Sequence, residues 1–394
     1  MFKINLKKNF IYLLFMYIFY FIRRNISFII EAIFHLNAPF LFLYMMGLGE
    51  ILGGAIIYAF QISNLKHKRN VKYFIIDLTQ HKKSNKGTDG IFKKILLIFF
   101  ASFFDFVEFI IIVFYVPKYD GISATISGRL ALLETIVMTL FCSYALRYKM
   151  GKHQKFSLLI FSSFFFITII LEVLYKSNNI SIGEFLFAYL LICFYYVFLS
   201  FTGVIEYYLC VYDFLNPFLT LMIEGIFVFI MSIIYSINKE PFKEIITQYK
   251  NTDTGNFVLL IFVLSLYFFC SAFLNVYKIY CNVVYSPMER SFSDYFFVPF
   301  FNIFYFIWKN DFHNDYFYFF ICEIIGLIID FFGCVFNEYL IIFCFGLDYD
   351  TSESIALRAL EKETLSGRDT INPGDENYIF NFGNKQEIEF KEII

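Results

Sequence analysis

Apolar stretches of about 20 residues recur along almost the whole chain, separated by short polar connections. Each is long enough for a helix to cross the roughly 30 Å hydrocarbon layer of a bilayer. The windows fall at 9–30, 38–62, 92–116, 122–146 and 156–175, and then at 183–206, 217–237, 257–280, 288–308 and 316–346. They predict an all-α polytopic membrane protein of about ten transmembrane helices, five in each half. The first window holds only about 13 apolar residues, Phe10 to Ile22, fewer than the roughly 20 that a crossing needs. It spans if the helix continues through Arg23 and Arg24 into Ile26–Ile30, with both arginines reaching for the headgroups. Those arginines stand where small residues would mark a cleavage site, so the segment is read as a helix rather than a removed signal.

The two halves carry related stretches. Leu36-Asn37-Ala38-Pro39-Phe40-Leu41 opens an apolar run with a single acid, Glu50, and ends at Ile56-Ile57-Tyr58. Leu215-Asn216-Pro217-Phe218-Leu219 does the same, with Glu224 as the acid and Ile233-Ile234-Tyr235 at the end. From proline to acid is 11 residues in one copy and 7 in the other, a difference close to one helical turn of about 3.6 residues. An odd number of crossings per repeat turns the second copy upside down, an arrangement used by secondary transporters. The repeats are placed at 9–175 and 183–346, within a transporter domain over 1–346. On this reading Glu50 and Glu224 point into the bundle, each nearer the opposite membrane face, as a pair of gates; the alternative is a packing hydrogen bond to a neighbouring helix or a position near the interface.

Composition agrees with a bilayer setting: 59% of residues are hydrophobic and 17% charged, too apolar for a soluble core of this length to hide. The 59 Phe and 30 Tyr accompany abundant Ile, Asn and Lys, a compositional bias rather than an aromatic site. Net charge is near zero, which gives no case for a nucleic-acid partner. Basic residues set the orientation: 17 fall on the face holding the N-terminus and 8 on the other, counting Lys278 as a connection residue of the first face. Both termini are therefore expected in the cytosol. The sequons Asn25-Ile26-Ser27 and Asn179-Ile180-Ser181 fall on the opposite face. The basic loop 63–91 reads as a solvated, topology-fixing connection, with contact to anionic lipid as the alternative. Residues 347–394 form a cytosolic tail, with Asp350 and Glu353 as an N-cap pair, a helical run through Ala356, Leu357, Leu360 and Leu365, a stop at Gly367, and a flexible end.

An ionisable side chain at the bilayer centre costs roughly 2.5–3.5 kcal/mol on insertion scales, so retained ones are expected to face the bundle interior. Besides Glu50 and Glu224 these include Asp105 and Glu108, three apart on one helix face, then Arg129 and Glu134, Glu206, Arg290, Asp294, Glu323 and Asp330. Ser127-Gly128-Arg129 before Glu134 and Ser286-Pro287-Met288-Glu289-Arg290 before Asp294 give each half one arginine and one acid on an equivalent helix. An arginine there suits a planar anion such as phosphate or carboxylate. Arg290 and Asp294, four apart, can instead neutralise one another. Arg129 cannot do so with Glu134, which five residues turn about 140° away. Asn275 and Asn337 read as interhelical hydrogen-bond formers, and Gly49, Gly53 and Gly54 as a close-packing face.

The eight cysteines, including Cys142, Cys193, Cys270 and Cys334, sit singly in apolar runs, which argues against a disulfide framework or zinc site. His35, His67, His81, His153 and His313 are scattered, so neither a metal cluster nor a His-based catalytic set emerges. No cofactor is expected. No intramembrane His beside an Asp or Asn, and no Asp-x-Asp loop, supports a membrane-embedded transferase, so the chain is not read as an enzyme.

Asn37-Ala38-Pro39-Phe40 leading to Gly47-Leu48-Gly49-Glu50, Asp105, Ser123 to Arg129, Glu206 followed by Asn216-Pro217-Phe218 and Glu224-Gly225, and Arg290 with Asp294 together resemble the drug/metabolite transporter superfamily. The nearest branch is the solute carrier 35-like group related to nucleotide-sugar transporters, and the likeness covers about residues 9 to 346. The resemblance implies a ten-helix, two-repeat carrier with cytosolic termini in an endomembrane (Golgi, ER or lysosome-like). It places Glu50, Asp105, Arg129, Glu224, Arg290 and Asp294 where such proteins commonly have polar residues. The expected function is transport of a small organic metabolite, a nucleotide sugar or other anion among the candidates, by alternating access. A seven-helix-type chemoreceptor and a non-transporting scaffold derived from a carrier are the alternatives. Expected partners are the solute and membrane lipid, with a homodimer left open.

Overall fold

A computed structural model describes residues 2–4, 10–34, 39–64, 89–115, 130–176, 182–237, 239, 242, 246–247, 254–296, 316–343, 346–352 and 354–358. Helices α1 (Phe10–Phe34), α2 (Pro39–Asn64), α3 (Asp89–Ile110), α4 (Leu132–Ala145) and α5 (Lys152–Lys176) come first. Then follow α6 (Ile182–Tyr207), α7 (Pro217–Ser236), α8 (Thr254–Val284), α9 (Pro287–Phe296) and α10 (Tyr316–Phe336). Single π turns, Ile111–Tyr115 and Tyr208–Tyr212, extend α3 and α6.

Among the described residues six helices are long and apolar enough to cross a membrane: Pro39–Gln61, Gly90–Tyr115, Lys152–Leu171, Gly183–Tyr212, Pro217–Ser236 and Gly255–Val284. At about 1.5 Å per residue, 20 residues reach the roughly 30 Å of a hydrocarbon core. Apolar side chains point outward, as Phe60 and Ile56 do at 62% exposure, while Glu50, a few residues away, is 4% exposed. That is the reverse of a water-soluble fold and fits a multi-pass integral membrane protein.

Helix α1 passes through Arg23 and Arg24 without a break. α4 is 14 residues long, shorter than the expected window, and residues 122–129 lie outside the described residues. The window 288–308 is represented by α9, beyond which 297–308 are likewise outside. α10 ends at Phe336 rather than running to 346. Glu338 adopts φ 61°, a left-handed conformation that stops the helix, and Leu340–Ile342 pairs antiparallel with Phe2–Ile4. This strand pair, β1 with β2, ties the segment before α1 to the segment after α10.

Helix directions follow from which residues meet. Gly47 lies against Phe229, Gly225 against Glu50 and Ile51, and Gly54 against Phe218 and Met222, so α2 and α7 run antiparallel. Ring contacts of Phe15 with Tyr277 and Phe19 with Phe273 make α1 antiparallel to α8. Lys93 bonding Tyr208 and Phe104 stacking on Phe198 make α3 antiparallel to α6. By contrast α2 runs parallel to α8, Gly49 meeting Ala272 and Gly53 meeting Val276. α3 runs parallel to α7, with Phe99 on Phe227 and Phe106 on Tyr235. The α2–α7 crossing depends on glycine: a Cβ on Gly225 would stand 2.7 Å from the Glu50 Cβ, and one on Gly54 2.6 Å from the Phe218 carbonyl oxygen.

The start of α7 is fixed locally. The Asn216 side chain accepts from the amides of Phe218 at 3.0 Å and Leu219 at 3.3 Å, and Pro217 occupies the first helical position. Its Nδ2 donates to Gln61 Oε1 at 3.1 Å, which pins the end of α2 to the start of α7. In the tail, the helical turn over 354–358 is capped by Thr351, whose Oγ1 accepts from the Ser354 amide at 3.4 Å. Asp350, the expected cap, instead accepts from the Lys152 amide at 3.3 Å. Most of the tail and the basic loop 63–91 lie outside the described residues.

Candidate functional site: a buried carboxylate centre

Five helices bring ionisable groups to one place. Glu50 from α2, Asp105 from α3, Glu206 from α6, Glu224 from α7, and Asn275 and Lys278 from α8 line a cavity of about 10 Å³, room for about one water. Glu108, one turn beyond Asp105, is buried within electrostatic reach of Lys278 and Asp105. Of the intramembrane ionisable residues named from sequence, the structure therefore gathers Glu50, Asp105, Glu206 and Glu224 around this cavity. Glu50 and Glu224 both point inward, as expected. They do not take up opposite membrane faces, however: the antiparallel crossing sets them side by side against one cavity.

The centre is wired through α8. Asn275 Nδ2 donates to Glu50 Oε1 at 3.0 Å, and Asn282 Nδ2 donates to the Glu206 carboxylate. Asn275, Lys278 and Asn282 fall at i, i+3 and i+7, one polar stripe along an otherwise apolar helix. Lys278 was counted in the sequence as a connection charge. It belongs inside α8, among Glu108, Asp105 and Glu206, with no direct ion pair among the described residues. Asn282 also escaped notice, while Asn275 makes an interhelical hydrogen bond as expected, to Glu50. The i, i+3, i+7 spacing was the available signal for all three.

A second part of the centre joins α4 to α9. Arg290 Nη2 meets Glu134 Oε1 at 2.6 Å, with each side chain 1% exposed. The Asp294 side chain lies outside the described residues, so its expected pairing with Arg290 does too. Gly203 of α6 makes room, since a Cβ there would come within 3.3 Å of Arg290 Nη2 and 2.8 Å of Met138 Cε. Arg290 is also within electrostatic reach of Glu206 and Lys278, which makes the two parts continuous. Arg129 lies outside the described residues. Glu323 and Asp330 are buried on α10, where that helix packs along α5, apart from the cavity.

Six carboxylates (Glu50, Asp105, Glu108, Glu134, Glu206, Glu224) thus face two cations, Lys278 and Arg290. If every group were ionised, four negative charges would stand unmatched. At roughly 2.5–3.5 kcal/mol each they would cost on the order of 10–14 kcal/mol, as much as the whole stability of a typical fold, about 5–15 kcal/mol. Protons or a bound cation must make up the balance. Among the described residues no three His, Cys, Asp or Glu side chains converge to hold a metal ion.

No family model matches the chain, and no curated protein sequence matches it.

Proposed function

We propose that the chain is a secondary transporter that moves a small organic solute by alternating access between two inverted five-helix halves, α1–α5 and α6–α10. The observation that carries this reading is the α2–α7 crossing: two antiparallel helices, one from each half, meet at glycines and set Glu50 and Glu224 against the same buried cavity. The wider pairing pattern supports it. Shifting every helix by five turns the α1–α8 pair into α6–α3 and the α2–α8 pair into α7–α3, and leaves α2–α7, α4–α9 and α5–α10 as pairs of themselves. A twofold relation between the halves requires that exchange. The β1–β2 pairing puts the start of α1 and the end of α10 on one side, as an even number of crossings demands.

The charge balance bears on the solute. Arg290 is engaged by Glu134, and the cavity is lined by carboxylates, so a neutral or cationic solute suits the centre better than the anion suggested by the arginines or the nucleotide sugar implied by the resemblance. Alternating access has a direct test. A single cysteine introduced as Leu221→Cys at the cavity wall, in a background lacking the native cysteines, should react with membrane-impermeant thiol reagents added from either side. Reaction from one side only would refute the alternating mechanism.

A further inference from the structure

Building on the transporter reading, we propose that Glu50 and Glu224 carry the exchangeable proton that couples the cycle to a proton gradient. The two carboxylates come from opposite halves, are each 4% exposed and border one water-sized cavity. Each also keeps one oxygen without a hydrogen-bond partner among the described residues, Glu50 Oε2 and Glu224 Oε1. A buried carboxylate oxygen with no donor is poorly solvated when charged, while the protonated form becomes a donor that its neighbour or a cavity water can accept. Asn275 occupies Oε1 of Glu50, which leaves Oε2 as the oxygen to be protonated. The Glu206 carboxylate is already held by Asn282.

The groups facing the pair are Asp105 and Glu108 of α3, Glu206 of α6, and Lys278 and Asn275 of α8. Among them Lys278 is the cation, so at least part of the balancing charge is left to protons. Hydronium reaching the cavity from one side gives its proton to Glu50 Oε2, forming an O–H bond and leaving water. On the other side the carboxyl returns the proton to water, restoring carboxylate and hydronium. With one of the two carboxyls protonated, a single negative charge stands at the α2–α7 crossing. Loss of that proton leaves two like charges facing each other across the interface between the halves, which favours the separated arrangement.

The test is an infrared titration of the protein reconstituted in lipid, from about pH 5 to about pH 9, a range spanning the ordinary carboxylate and histidine values. A buried protonated-carboxyl band should appear in wild type and titrate, Glu50→Gln and Glu224→Gln should each lose part of it, and the double variant should lose more than either alone. Absence of a titrating band in wild type, or a band unchanged in both variants, overturns the assignment. So does a band abolished by sodium chloride but not by choline chloride at fixed pH, which makes the ion sodium. Should one variant fail to fold, wild type and the other still decide. The titration needs no solute, so its failure alongside measurable solute uptake removes the proton and leaves the carrier. A titrating band without uptake of any solute removes the carrier and, with it, the coupling role.

Discussion

Replacing Arg290 by methionine separates two uses of a buried arginine. Both members of the Arg290–Glu134 pair are 1% exposed, and their charged atoms stand 2.6 Å apart. Removing one partner of such a pair leaves an uncompensated buried charge, at a cost of about 3–5 kcal/mol. That is a factor of roughly 10² to 10³·⁵ in the folding equilibrium and a large part of a typical total stability of about 5–15 kcal/mol. The double variant Arg290→Met/Glu134→Met should recover most of the loss, because well-packed apolar residues often replace a buried ion pair at no net cost. Reversible unfolding in mixed micelles, followed by circular dichroism, measures all the corners of the cycle once Glu134→Met is included. A loss below about 1 kcal/mol in Arg290→Met, the scale of an exposed pair, would refute the reasoning. It would also return Arg290 to the role of a ligand-binding group.

Further expectations concern packing, topology and the polar stripe. Gly225→Leu should destabilise by more than the usual overpacking cost of about 1–3 kcal/mol, because even a Cβ meets Glu50 at 2.7 Å, whereas Gly183→Ala, with open space around it, should be neutral or slightly stabilising in the same assay. Lys278→Met should abolish solute uptake at normal expression, and normal uptake would exclude Lys278 from the centre's work. Epitope tags at the two termini should both be reachable only after the cytosolic side is opened; exposure of either from the other side would break the ten-crossing topology.

Much of the helical layout was legible because bilayer-length hydropathy needs no tertiary information: the start of α7 at Pro217 after its Asn216 cap follows from local rules alone. The end of α10 was misplaced for a physical reason. Tyr339 to Phe345 is as apolar in sequence as the helix before it, and only pairing with Phe2–Ile4, more than 300 residues away, makes Leu340–Ile342 extended. The acids were identifiable one by one, as any charge in an apolar window is, but their convergence was not. Glu50 and Glu224 were expected at separate faces because sequence offset measures distance along each helix and says nothing of where two antiparallel helices cross. Lys278 was hidden by its place near the end of a hydropathy window, where a lysine resembles a topology signal. The Arg290–Glu134 pair went unseen because its members lie 156 positions apart, whereas the four residues from Arg290 to Asp294 are a visible spacing.

The central claim is transport, and uptake into proteoliposomes tests it most directly. The purified protein should be presented with a panel of nucleotide sugars, nucleotides, amino acids and thiamine-like cations, beside protein-free liposomes and the Lys278→Met variant. Saturable uptake of at least one neutral or cationic member is expected, absent from both controls. A protein that keeps its helical spectrum in the liposomes and moves none of the panel would contradict it.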